Sequence, residues 1–328
     1  MRRQYLPAIA LTIVGLLVIL CAGCTSASGA TQWSGLEKTN LTVGAVPVGD
    51  EAGLYIAADE GLFAKVGLNV KVDSIVSSAT ATADQNKGIY DITAGNSVSY
   101  IQDQVTGASN LQIVAEGSLM QPNNQALYTL PGSPIKSIAS LKGAKIGVNA
   151  PNNIGTLLIS SVLEEHGVSP KDVHFVTVNF PLMGAALKKH TIDVAWLPEP
   201  FGSIDQAAMG LQELCDLDQG ATANFPVGWY VVTKNWAKEN PRTLAAFLYA
   251  LREGQQIADT DRSAVQLAME ALPQPYTVPP QIAAVMSLED YPLSIAPDID
   301  QSRVQRVADA MYQFQMLTHP FQVSSMLG

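Results

Sequence analysis

The sequence predicts an α/β protein of two lobes, each an open, mostly parallel sheet flanked by helices. Three observations carry this. Strand-like runs alternate with helical ones from Leu41 onward, and the same order starts again at Ala144. The chain has 328 residues, 47% of them hydrophobic, enough for about two cores. Alternating strands and helices imply parallel pairing, because a crossover segment must carry the chain back to the same end of the sheet.

The first unit reads "LTVGAVP" from Leu41, "DEAGLYIAADEGLFAKVG", "LNVKVDSIV", "SATATADQNKG" and "YDITAGNS". Its first helix places Leu54, Ile56, Ala57, Leu62 and Phe63 on an apolar face, with Asp50 as the expected cap and Gly67 as the terminator. The second unit reads "AKIGVNAP", "NNIGTLLISSVLEEHG", "VHFVTVNF", "PLMGAALKKH" and "IDVAWLPE". In both units the first strand ends in a proline, Pro47 and Pro151, and the third opens with an aspartate, Asp91 and Asp193. Two such units predict two lobes rather than one long sheet. From about Phe225 an apolar strand, "VGWYVVT", is followed by four helical runs, of which "NPRTLAAFLYALREGQQIAD" keeps Leu244, Phe247, Leu248 and Leu251 at helical spacing. These runs carry no evident chemistry and are expected to pack against the first lobe.

The N-terminus has a different logic. Arg2 and Arg3 precede an uncharged apolar stretch from Leu6 to Cys21 and then small residues, the layout of a secretory signal. The stretch is shorter than the roughly 20 residues of a membrane span. Cys21 and Cys24 form a C-x-x-C spacing, but a zinc site would need a second pair and none follows. "CAGC" resembles a bacterial lipoprotein processing site, which implies a signal peptide over 1–23 and lipid on Cys24 that anchors the protein to the membrane. Residues 24–40 are then a polar tether rich in Ser and Gly.

Arg and Lys number 19 against 29 acidic residues, and loss of Arg2 and Arg3 brings the mature charge to about −12. Such a surface repels nucleic acid, which is excluded as a partner. Beyond Cys24 only Cys215 remains, so no intrachain disulfide is expected.

Nearly all of the mature chain resembles the solute-binding lipoproteins of ABC importers of the nitrate, sulfonate and taurine type, a group that includes binders of thiamine-pyrimidine precursors. The resemblance rests on "GLYIAADEGLFAKVGLNVKV", "SIASLKGAKIGVN", "LEEHGVSPKDVHFVTV" with "AALKKHTIDVAWLPEPF", and "YVVTKNWAKENPRTLAAFLYAL" in that order. It implies a type II periplasmic binding protein, with lobe I at 41–129 and 226–328, lobe II at 130–225, and crossings near Thr129 to Pro134 and Asn224 to Gly228. It further implies a monomer that delivers a small solute to an ABC permease and its ATPase subunit.

In open α/β sheets ligands bind beyond the carboxyl ends of the strands. Ser78, Thr80, Asn96, Ser97, Asn152 and Asn153 fall at such ends, where helix starts offer free N–H groups. Each could equally be an ordinary helix cap. Trp196, Phe201 and Trp229 are candidates for clamping a flat ligand, with burial in the core as the alternative for each. In "WLPEPF" the two prolines bias Leu197 and Glu199 toward extended backbone, which holds the Glu199 carboxylate at a strand end. No basic residue falls in these segments, which argues against a doubly charged anion. Of the sulfonate-, taurine- or pyrimidine-like solutes left open, a monovalent sulfonate would be held by neutral donors alone, and a neutral or amine-bearing molecule fits better.

The runner-up is an enzyme on the same fold acting on a small heteroaromatic or carboxylate substrate. His166, His174, His190 and His319 show no metal-type spacing, and no G-x-S-x-G, G-x-G-x-x-G or phosphate loop is present. Asp216 with Asp218, and Asp298 with Asp300, do not continue into a calcium loop. No cofactor or metal is expected.

Overall fold

The computed structural model describes residues 33–328. The expected leader, Cys24 and the first part of the tether lie outside them, and no helix among the described residues is long and apolar enough to cross a membrane.

Strand β1 (Asn40–Ala45) is the hub of the first sheet. It pairs in parallel with β2 (Asn69–Ser74) on one side and β3 (Ile92–Asn96) on the other. Beyond β3 comes β10 (Pro226–Thr233), antiparallel both to β3 and to the edge strand β4 (Leu111–Leu119). The second sheet repeats this plan. Strand β6 (Lys145–Val148) lies between its parallel partners β7 (His174–Thr177) and β8 (Val194–Pro198). The antiparallel strand β5 (Gln125–Thr129) follows, with β9 (Gln212–Asp216) at the edge.

The antiparallel members are exchanged. β10 follows the second unit yet completes the first sheet, and β5 precedes that unit yet completes the second sheet. The chain therefore crosses between sheets after Leu119 and again before Pro226. The first crossing lies upstream of the expected Thr129 to Pro134, because "QALYT" pairs with β8 and β9 rather than closing the first lobe.

The expected first helix is broken into three pieces: a 3-10 turn Gly49–Glu51, a helix Ala52–Asp59 and a further turn Leu62–Lys65. Gly61, at φ 66°, divides the last two, a backbone conformation that costs glycine little. Asp50 does not cap this helix. It is drawn inside, where Ser118 Oγ lies 3.2 Å from its Oδ1.

The long helix Pro241–Thr260 packs on Ala52–Asp59 so closely that a Cβ on Gly254 would meet the Gly53 carbonyl oxygen at 2.2 Å. Of the other three expected C-terminal helices, Arg262–Glu270 and Gln301–Gln313 form, while the third shortens to one turn, Pro280–Ala283. Val304, Val307, Ala308 and Met311 of Gln301–Gln313 join a core continuous with that of the second sheet, so the segment does more than pad the first lobe. The Arg303 guanidinium meets the fully buried Glu116 of β4 through two bonds of 2.6 Å and pins this helix to the sheet.

Candidate functional site

The carboxyl ends of the parallel strands in the two sheets face each other across a narrow cavity. Val46, Val48, Asp50 and Glu51 enter it from the turn after β1, and Gly95 with Asn96 from the end of β3. Across the gap, Asn149 and Ile154 follow β6, Phe180 follows β7, and Trp196 and Pro198 end β8. Gln125 comes from β5, which runs antiparallel to β8 and so presents its amino end at the same edge.

The second-lobe wall is aromatic. Trp196, 2% exposed, lies against the first turn of the helix Ile154–Glu165, where Gly155 leaves room for its ring. Phe180 meets Trp196 edge-on at 5.3 Å, and Phe201 stacks on Phe180 at 5.3 Å. The lobes also bond directly. Asn149 Nδ2 donates to the Val76 carbonyl at 3.2 Å and Gly49 N to the Glu199 carbonyl at 3.3 Å.

Of the residues expected at the site, Asn96 and Trp196 line the cavity. Asn96 also caps the helix Ser97–Val105 by accepting from Ser99 N. Ser78 is fully buried behind it, its Oγ accepting from the Asn96 N–H at 2.9 Å. Thr80 turns back onto Ser77, the actual cap of the helix Ser78–Asn86. Ser97 Oγ donates to the Pro226 carbonyl, and Asn153 caps Ile154–Glu165 through Thr156 N. Asn152 is exposed at φ 50° in a different surface depression.

Trp229 and Glu199 depart from the picture of open cleft walls. Trp229 sits in mid-sheet opposite Gly95 and Glu116, 1% exposed, its ring part of the apolar core. Phe201 is core behind Phe180 and does not reach the cavity. Glu199 is 4% exposed and turned back onto its own helix, accepting from Ser203 Oγ at 2.6 Å and Ser203 N at 3.2 Å. Burial raises its carboxyl pKa, and the Ser203 bonds oppose the rise.

Sequence reasoning missed the strongest electrostatic feature. Asp50 and Glu51 open a stretch whose pattern reads as a helix start, and Glu289 comes from far along the chain. All three are buried together. Burial, joined by repulsion from Asp50 and Glu289, holds the Glu51 carboxyl well above its ordinary range. Glu289 is raised likewise by burial and by Asp50 beside it. Tyr291 Oη lies 3.0 Å from both Glu289 Oε2 and the Gly49 carbonyl oxygen. No grouping of His, Cys, Asp and Glu among the described residues has the geometry of a metal site.

Two α/β sheets of one plan, closed on a cavity at their carboxyl ends, make this a protein of the periplasmic binding protein fold. The chain belongs to the NMT1/THI5-like family, whose model matches residues 49–261.

Among its relatives, the bicarbonate transport ATP-binding protein CmpC of Synechocystis is 29% identical over 67% of this chain and 35% of its own length. The nitrate/nitrite binding protein NrtA of Nostoc is 26% identical over 68% of this chain and 55% of its own. The chain thus spans between a third and a little over half of these two relatives. A putative thiamine biosynthesis protein of Haemophilus influenzae is 24% identical over 80% of this chain and 83% of its own.

Among solved structures, the alkanesulfonate-binding protein SsuA of Xanthomonas axonopodis, bound to MOPS, superposes with a TM-score of 0.73 at 16% identity, covering 89% of this chain and 98% of its own. The desulfurization enzyme DSZB does so at 0.65 and 15% identity, covering 89% and 96%. These likenesses show the fold, and the second shows that the fold also carries catalysis.

Proposed function

We propose that the protein is the extracytoplasmic solute-binding component of an ABC import system, a binder rather than an enzyme. It captures a small organic solute in the inter-lobe cavity and delivers it to a membrane permease driven by an ATPase subunit. The observation that carries this reading is the cavity itself, walled by the strand ends of both sheets. A molecule held there touches both lobes and so stabilises the closed arrangement over the open one, which is the signal a permease needs. Relatives named for bicarbonate transport and for nitrate/nitrite binding support the reading.

Asn96 and Trp196 are its direct contacts, with Ser78 holding Asn96 in place. The reading includes export by the leader 1–23 and anchoring through lipid on Cys24, the protein acting as a monomer on the outer face of the cytoplasmic membrane. Purifying the protein from its native host and identifying the co-purifying molecule by mass spectrometry tests it. A single small molecule, recovered chemically unchanged after incubation and shifting the scattering profile toward a more compact particle, is the expected result. A molecule converted to product would refute the binder reading in favour of an enzyme.

A further inference from the structure

We propose that Asp50, Glu51 and Glu289 form a subsite for a protonated amine or amidine nitrogen of the solute, with Gln125 as a further acceptor. The proposal rests on the solute-binding reading and specifies what the first lobe recognises.

Glu51 Oε2 and Gln125 Oε1 belong to residues that line the cavity, at 2% and 1% exposure, and neither oxygen has a hydrogen-bond partner among the described residues. Glu289 stands behind them, bonded to Asp50 beside it. Leaving a buried acceptor unmade costs about 1–3 kcal/mol, more for a charged one, so two on the walls of one cavity point to a donor-bearing ligand. Among the described residues no Lys, Arg or His forms an ion pair with any of the three acids. The other groups facing them are neutral: Tyr55, Tyr100 and Tyr230 around Glu51, with Tyr291, Asn124 and Ser118 around Asp50 and Glu289. An anion placed at this end would find no cationic side chain to pair with.

The opposite wall is of the other polarity. Trp196 Nε1 is a buried donor without a partner among the described residues, and Val46, Val48, Ile154 and Phe180 supply apolar surface between. In this closed arrangement the gap has room for about one water-sized group, so a solute is admitted only as the lobes part. Its cationic nitrogen would sit at the acids, its flat body against Phe180 and Trp196, and a hydrogen-bond acceptor near Trp196 Nε1. Without a cation the acids share protons among themselves, so binding releases protons to solvent and tightens as pH rises.

The test is titration calorimetry of the mature protein with benzamidine, 4-aminopyridine, the neutral isostere benzamide, nitrate, bicarbonate and ethanesulfonate. The expected result is binding of the two cations, at least about tenfold weaker binding of benzamide, and no heat from the three anions. Repeating the titration in buffers of different ionisation enthalpy is expected to show proton release. Glu51→Gln is expected to weaken cation binding by about tenfold or more without lowering the melting temperature of the unliganded protein, and Glu289→Gln provides a second variant. Benzamide equal to benzamidine, no affinity for either cation, or unchanged affinity in folded Glu51→Gln would overturn the subsite. An anion that binds tightly and compacts the particle in scattering would also overturn it, while leaving the solute-binding reading intact.

Discussion

Glu51→Gln should change how the stability of the unliganded protein depends on pH. In the native state the Glu51 carboxyl is raised well above its ordinary 4.5, chiefly by burial and further by Asp50 and Glu289. A carboxyl raised on folding stabilises the native state below its unfolded pKa and loses that contribution as pH rises through the native value. Between those two values the folded chain holds one more proton at this site than the unfolded chain. Stability therefore falls by up to about 1.4 kcal/mol per pH unit on account of Glu51 alone. For a chain of this size that is about 2 °C of melting temperature per pH unit. Glutamine keeps the shape and carries no proton to lose, so the variant's curve should be flatter by this amount and lie above the wild type at neutral pH. Other raised groups, such as Asp205 at about 6, contribute to both curves and drop out of the difference. Thermal unfolding of both proteins, freed of bound solute by unfolding and refolding, across the mildly acidic to neutral range measures it. Parallel curves would refute the picture of Glu51 as a buried, uncompensated acid.

Gly155→Ala would set a Cβ 2.3 Å from Trp196 Cε3, so the ring must move by about an ångström or the helix must shift; a changed indole emission and a loss of about 1–2 kcal/mol in chemical denaturation are expected. Asn149→Ala removes a bond across the cleft to the Val76 carbonyl and should enlarge the radius of gyration of the unliganded protein in scattering, with little change in melting temperature. Arg303→Met strands the fully buried Glu116, and a loss of about 3 kcal/mol in urea unfolding is expected, most of it regained on adding Glu116→Gln. Glu199→Ala removes two bonds to Ser203 and should cost about 1–2 kcal/mol of unliganded stability by the same assay, since the side chain is buried in its own helix start.

Much of the architecture was legible because strand and helix periodicities are local. The alternation in "LTVGAVP" through "YDITAGNS", and its return from Ala144, place β1, β2, β3 and then β6, β7, β8 in parallel sets without any tertiary information. The same local logic puts Asn96 and Trp196 at strand ends, where the structure finds the cavity. The position of "QALYT" was not legible. A buried antiparallel strand is a short apolar run with no mark of which sheet it joins, and β5 crosses to the second. Trp229 shows the same limit, since its strand becomes central only by pairing with β3 and β4, residues more than a hundred positions away.

What the sequence determined by itself is the repeated parallel unit and the line of strand ends that a ligand would meet, because these follow from spacing along one stretch of chain. Only the tertiary structure decided which side chains at those ends face the gap. It turned Glu199 inward onto Ser203, and it brought Glu289 beside Asp50 and Glu51 across more than two hundred residues. Charge in a cleft is a sum over whatever the fold collects there, and that sum has no signature in any single segment.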